Sequence, residues 1–222
     1  MERQFSEADL KGIAKQLSCP EGELGVKTGE SMNLSNIGMT RSAIDALMPR
    51  AGDYILEIGQ GNGGHIAYLL SKTDNLSYVG ADISATIIAE AEKINAIFLQ
   101  SESVSFQLTD GKSLPFENEV FDKIFTVNTI YFWADPLAYL TEIKRVLKPN
   151  GKFVLCFADK SFMEKLPFTA YGFNLYDLEM AISLLTANGF KVIHEQLKTE
   201  EINSNADFMV TRNYYVVSVE SV

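Results

Sequence analysis

Four glycines fall within six residues at Gly59-Gln-Gly-Asn-Gly-Gly64, directly after the apolar run Tyr54-Ile-Leu-Glu-Ile58. A strand that turns into a helix through glycines lets backbone approach a ligand with no Cβ in the way. The helix start adds free N–H groups and a partial positive charge, which suit an anionic group. Three acids fall near the same junctions. Glu57 lies at the strand end, Asp82 closes the run Ser77-Tyr-Val-Gly-Ala81, and Asp110 follows Ser103-Val-Ser-Phe-Gln107. A carboxylate at the tip of a second strand can accept both hydroxyls of an adenosine ribose. Asp82 could instead cap the helix that follows, but Ser84 can fill that role. Gly59-x-Gly61-x-x-Gly64 with an acid near position 82 also fits a dinucleotide fingerprint. Glu57 argues against that reading, because a carboxylate there would face a ligand ammonium and not a pyrophosphate.

A second group of candidates sits where the fourth strand ends, at Asn128-Thr-Ile-Tyr-Phe-Trp-Ala-Asp-Pro136. Strand C-termini are where open α/β sheets bind ligands. Tyr131 could hydrogen-bond or deprotonate an acceptor, and Phe132 and Trp133 could stack on one; equally, these aromatics could plug the sheet edge. Asp135-Pro136 reads as a helix start. His65, after the glycine turn, is a candidate base, whereas His194 lies in a late strand away from the site. Met32, Asn33, Asn36 and Met39 cluster ahead of the main fold. The aromatic-rich segment 159–175 reads either as an acceptor lid or as a packing segment. Cys19 and Cys156 have no metal-ligand spacing, and Cys156 reads as a buried small hydrophobe.

These residues need a scaffold, and the chain alternates strand and helix from residue 53 onward. Strands are expected at 54–58, 77–81, 103–107, 121–127 and 152–157, with helices near 64–72, 84–96 and 136–147. A last helix, 176–188, stops at Asn188-Gly189. Two strands close the pattern, 191–197 and 214–219, separated by the polar segment 198–212. Alternation implies a parallel sheet covered on both faces. The final pair has no crossover helix and must be antiparallel, so the seventh strand is inserted in reverse. Ahead of this core, residues 6–17 form an amphipathic helix and 19–25 a turn. Glu30–Met39 leads into a second helix, 39–48, ended by Pro49 and Gly52. The domain reading is a helical segment over 1–50 and a core over 51–222.

The 222 residues carry 19 lysines and arginines against 29 acids, a formal charge of −10. That disfavours a nucleic-acid partner, which needs a basic footprint. No run of about 18 uncharged apolar residues exists to span a membrane. The charged N-terminus lacks a secretory h-region, and with only two cysteines, far apart in sequence, the expected location is the cytoplasm. The hydrophobic fraction of 46% supports a globular core without a disulfide scaffold.

Five blocks in order resemble the class I S-adenosylmethionine-dependent methyltransferases of the small UbiE-like (methyltransferase-11) type. They are Ile55-Leu-Glu-Ile-Gly-Gln-Gly-Asn-Gly63, Val79-Gly-Ala-Asp-Ile-Ser84, Asp110-Gly-Lys-Ser-Leu-Pro-Phe116, Phe121-Asp-Lys-Ile124 and Glu142-Ile-Lys-Arg-Val-Leu-Lys-Pro-Asn-Gly151. They span about half the chain. The resemblance implies a Rossmann-like three-layer α/β sandwich with a seven-stranded, mostly parallel sheet and an antiparallel last strand. It implies S-adenosyl-L-methionine as cofactor, with Glu57, Gly59, Gly61 and Gly63 at its methionine end and Asp82 and Ile83 at the ribose. Asp110 and Gly111 would meet the adenine, and Asn128 would complete the shell. Asn33 or Asn36 would reach the methionine end from the N-terminal segment. Thr109 departs from the commoner glycine before Asp110. Methyl transfer to a small-molecule acceptor is the expected activity, with Tyr131 and His65 as candidate catalytic residues. The alternatives are an NAD(P)-dependent oxidoreductase and a cofactor-binding regulator without catalysis.

Overall fold

The structure is a computed structural model and describes residues 5–203 and 209–221. Helix α1 (Glu7–Ser18) starts on a reciprocal cap. Ser6 Oγ accepts from the Asp9 N–H, and the Asp9 carboxylate accepts from the Ser6 N–H. Helix α2 (Gly22–Leu47) then runs for 26 residues without a break. This corrects the expected lead-in over Glu30–Met39, which is helical throughout. Residues 28–38 are rich in glycine, serine and asparagine, all weak helix formers. Packing sustains the helix here: Gly25 lies against Pro20, Gly29 against Ile87 and Gly38 against the Glu200 carboxylate. The other end is apolar, and Met39, Ala43, Ile44 and Leu47 are fully buried.

The sheet comprises β1 (Tyr54–Ile58), β2 (Ser77–Asp82), β3 (Val104–Leu108), β4 (Phe121–Val127), β5 (Leu147–Ala158), β6 (Phe190–Asn203) and β7 (Met209–Ser221). Between them lie α3 (Ile66–Leu70), α4 (Ala85–Ile94), α5 (Ala96–Leu99), α6 (Pro136–Val146), α7 (Lys160–Met163) and α8 (Leu178–Ala187). Single 3₁₀ turns occur at Ile130–Phe132 and Pro167–Ala170. The strand order is β3-β2-β1-β4-β5-β7-β6. The first five strands pair in parallel, and β7 is antiparallel to both β5 and β6. The expected mixed seven-stranded sandwich, with its reversed strand, is the observed fold.

Helix starts follow side-chain caps. Ser84 Oγ accepts from the Ile87 N–H, Asp135 from Ala138 and Asp177 from Met180. One apolar core contains the end of α2 together with the strands, so residues on both sides of position 50 share it. The polar segment 198–212 is not a loop in its described part. β6 and β7 continue as a two-stranded ribbon past Ala158, where pairing of β5 with Tyr214 stops. Residues 204–208 lie outside the described residues. Among the described residues, no helix is long and apolar enough to cross a membrane.

Candidate active site

Parallel pairing brings the C-terminal ends of β1, β2, β3 and β4 to one edge. Ile58 is level with Ala81 and Thr126, and Asp82 with Leu108. The glycine turn leaves β1 at this edge. Gly59 has φ +73° and donates its N–H to the Ala81 carbonyl at 2.7 Å. Its missing Cβ is filled by the Thr129 methyl from the end of β4. Gly61 has φ +57°, and a Cβ there would meet nothing within 4 Å, so the turn faces open space at this residue. Gly63 is held by Asn95, whose Nδ2 donates to its carbonyl at 3.2 Å.

Asp82 is mostly buried beneath the turn. Its Oδ2 accepts from the Gly61 N–H at 3.4 Å and its Oδ1 from the Ser84 N–H at 2.9 Å. Ser84 caps α4, which leaves Asp82 free of that task. Burial raises the Asp82 carboxyl to about 6, opposed by the Ser84 and Gly61 N–H groups and assisted by the Glu57 charge. Asp110 is exposed, and its Oδ1 accepts from the N–H groups of Lys112 and Ser113 at 2.9 and 2.8 Å. Those hydrogen bonds lower its pKa and keep it ionised. Gly111 adopts φ +69° beside the Ile83 side chain, which is 40% exposed. An exposed apolar side chain flanked by bare backbone is a surface on which a flat ring can lie.

Glu57 is 2% exposed. Its Oε2 accepts from Tyr78 Oη at 2.6 Å and lies 2.6 Å from His65 Nε2. His65 is 4% exposed and stands edge-on to Phe125, so it faces the carboxylate and not an acceptor. Its expected role as a base is corrected to that of a partner for Glu57. Tyr131 is also buried, and its hydroxyl lies 3.0 Å from the Ala158 carbonyl and 3.1 Å from Asn128 Oδ1. Burial pushes its phenol up, so it cannot accept a proton near neutral pH. Tyr131 therefore plugs the sheet edge beside Phe132 and Phe173.

The Asn128 side chain turns inward as well. Its Oδ1 accepts from the Ala158 N–H at 3.1 Å and its Nδ2 faces the Met39 sulfur. It ties β4 to β5, and its expected cofactor contact would have to come from backbone. Asn36 is engaged by Arg212, whereas Asn33 lies against Gly64 of the glycine turn. Tyr131→Phe is expected to cost about 1 kcal/mol of stability for the lost hydrogen bond, read by urea denaturation. An unchanged denaturation midpoint would show that the hydroxyl contributes nothing to the fold.

Two residues escaped the sequence reading. Tyr78 was hidden because its bond to Glu57 crosses strands. Its position was nonetheless readable, since Tyr78, Gly80 and Asp82 alternate on one face. Gln60, inside the glycine turn, is 3% exposed, and among the described residues neither of its amide atoms has a hydrogen-bond partner.

Residues 56–155 match the family model described as a methyltransferase domain. That match covers a little under half of the chain. An O-methyltransferase of Pyrenophora dematioidea is 30% identical to this chain over 173 residues, 74% of this chain and 64% of that protein. Phosphoethanolamine N-methyltransferase 3 of Arabidopsis thaliana is 28% identical over 81% of this chain and 36% of its own length. The chain thus spans between about one third and two thirds of the length of these curated relatives. Among solved structures, a methyltransferase in complex with the Haloferax volcanii Trm112 methyltransferase activator has a TM-score of 0.71. It is 17% identical, over 87% of this chain and 93% of that one. Geranyl diphosphate methyltransferase, solved with GPP and sinefungin, has a TM-score of 0.68 at 13% identity, covering 84% and 79%. These likenesses show the fold.

Proposed function

We propose that the chain transfers a methyl group from S-adenosyl-L-methionine to a small-molecule acceptor. The observation that carries this reading is the set of carboxylates around an open glycine turn: Glu57 beneath it, Asp82 beside it and Asp110 on the next loop. When bound, S-adenosylmethionine supplies a methyl on a positively charged sulfur, open to in-line displacement. Asp82, with two fixed N–H partners, presents a carboxylate to a ribose diol. Gly111 and Ile83 offer the adenine surface, and Gly61 leaves the approach open. Alignment of the reacting groups is the protein's main contribution, worth ~7–11 kcal/mol for well-oriented pairs. A base is required only if the acceptor must shed a proton, and Tyr131 and His65 are both engaged elsewhere. The curated relatives include enzymes named for oxygen and nitrogen methylation, which supports a small acceptor without choosing its atom.

Calorimetry with S-adenosylhomocysteine and with NAD tests the reading. Binding of NAD with none of S-adenosylhomocysteine would overturn it. Binding of S-adenosylhomocysteine without methyl transfer across a broad acceptor panel would favour the regulatory alternative. Asp82→Ala is expected to weaken S-adenosylhomocysteine binding by ~1–3 kcal/mol with the circular dichroism spectrum unchanged.

The pH dependence has a definite sign. The folded carboxyl titrates at about 6, above its ordinary 3.8. Its contribution to stability is therefore fully present below the lower value and lost as pH rises through the upper. Ligand binding runs the other way, because the diol needs the ionised form. Affinity for S-adenosylhomocysteine is expected to rise about tenfold from pH 5 to pH 7.5, and Asp82→Asn to flatten that rise. An equal rise in the asparagine variant would assign the titration to another group.

A further inference from the structure

The cluster of Glu57, His65 and Tyr78 has no part in the assignment above beyond the acid itself. Its three side chains come from three elements: Glu57 from β1, Tyr78 from β2 and His65 from the residue preceding α3. All are at least 96% buried. The two donors converge on one oxygen, Oε2, at 2.6 Å each. Among the described residues, Oε1 accepts no hydrogen bond. Burial, with the Glu57 charge beside it, pushes the Tyr78 phenol up, so it stays a donor.

Stability alone does not account for such a cluster, since buried polar groups are often replaceable by apolar ones at little or no cost. What the cluster does is fix one carboxylate oxygen and the plane of the group. Gln60 gives a second, independent sign of an unmet polar demand at the same junction. Its side chain lies over Gly80, the residue paired with Glu57, and its buried amide has no partner among the described residues.

We propose that Tyr78 and His65 are positioning residues that hold Glu57 by Oε2 and leave Oε1 for the ammonium end of the methyl donor. This rests on the reading of the site as an S-adenosylmethionine site. Glu57 makes the contact, and the tyrosine and histidine act through it. Leu56 and Ile58, its neighbours on the strand, point to the opposite face of the sheet, so the orientation of the carboxylate rests on partners from other elements.

Two ligands separate positioning from bulk structure. S-Adenosylhomocysteine carries the amino-acid end; 5′-methylthioadenosine keeps the adenosine and the sulfur but lacks the ammonium and carboxylate. Calorimetry of the full chain is expected to show Tyr78→Phe and His65→Leu each binding S-adenosylhomocysteine at least tenfold more weakly. Both should bind 5′-methylthioadenosine within twofold of wild type. His65→Gln keeps an N–H donor and is expected to recover most of the lost affinity. Glu57→Gln should reproduce the selective loss.

Variants that bind both ligands as wild type does, or lose both equally, would overturn the inference, with thermal denaturation reporting any variant that has lost its fold. Wild type binding the two ligands with equal affinity would overturn it while leaving the adenosine site standing. Wild type binding neither would overturn the site assignment itself.

Discussion

Arg212→Met is expected to cost about 3 kcal/mol of folding stability in urea denaturation. The Arg212 guanidinium is 6% exposed and makes four contacts. Its Nη2 and Nε donate to Glu200 Oε1 at 2.6 and 3.1 Å, Nη2 also to the Ser35 carbonyl at 2.6 Å, and Nη1 to Asn36 Oδ1 at 2.9 Å. Breaking a buried ion pair from one side strands the remaining charge, which costs ~3–5 kcal/mol. Glu200 retains 19% exposure, and that places the effect at the lower end. The stranded carboxylate would also press on Gly38, where the helix has no side chain to shield it. Replacing both partners, Arg212→Met with Glu200→Met, is expected to recover most of the loss. A cost below about 1 kcal/mol for the single change would reduce the pair to an ordinary surface contact.

Gly59→Ala should be of similar size, about 2–5 kcal/mol, for two separable reasons. A left-handed φ of +73° costs an L-residue roughly 1–2 kcal/mol. The added methyl also collides with the Thr129 methyl, and overpacking costs ~1–3 kcal/mol. Thr129→Ser removes that methyl and keeps the hydroxyl that contacts Thr126. The double variant should therefore regain the overpacking part and keep the backbone part. If Thr129→Ser restores nothing, the backbone conformation is the whole cost. Because Thr129 closes the gap between the ends of β1 and β4, the single variant should also lose affinity for S-adenosylhomocysteine.

The strands around this site were legible for a simple reason. β1, β2, β4 and β5 lie between layers of helices, so their sequences are nearly continuous apolar runs bounded by glycine, proline and charge. The ribbon of 198–203 and 209–213 was not legible, because most of its side chains are exposed and its sequence lacks alternation. The first part of helix α2, ahead of the expected 39–48, was missed for a different reason. Its middle, with Gly29, Asn33, Ser35, Asn36 and Gly38, carries no helical stripe of its own. The contacts that hold it come from Ile87, Glu200 and Arg212, far along the chain.

The site divided in the same way. The placement of Glu57, Asp82 and Asp110 at or just past strand ends was readable because an acid there stands out against an apolar run. Whether a polar side chain turns outward or inward was not readable. Asn128, Tyr131 and His65 all turn inward, each onto a partner supplied by the fold and not by its sequence neighbours.

The clasp between α2 and the ribbon joins residues 176 apart, and the Ser42 and Tyr214 hydroxyls meet at 2.9 Å across 172. During synthesis, then, the second helix leaves the ribosome long before its anchors exist. β7 also separates β5 from β6, so β6 has no neighbour to join until β7 is made. Seating of β7 therefore both closes the gap between β5 and β6 and fastens a helix that precedes it by 172 residues or more.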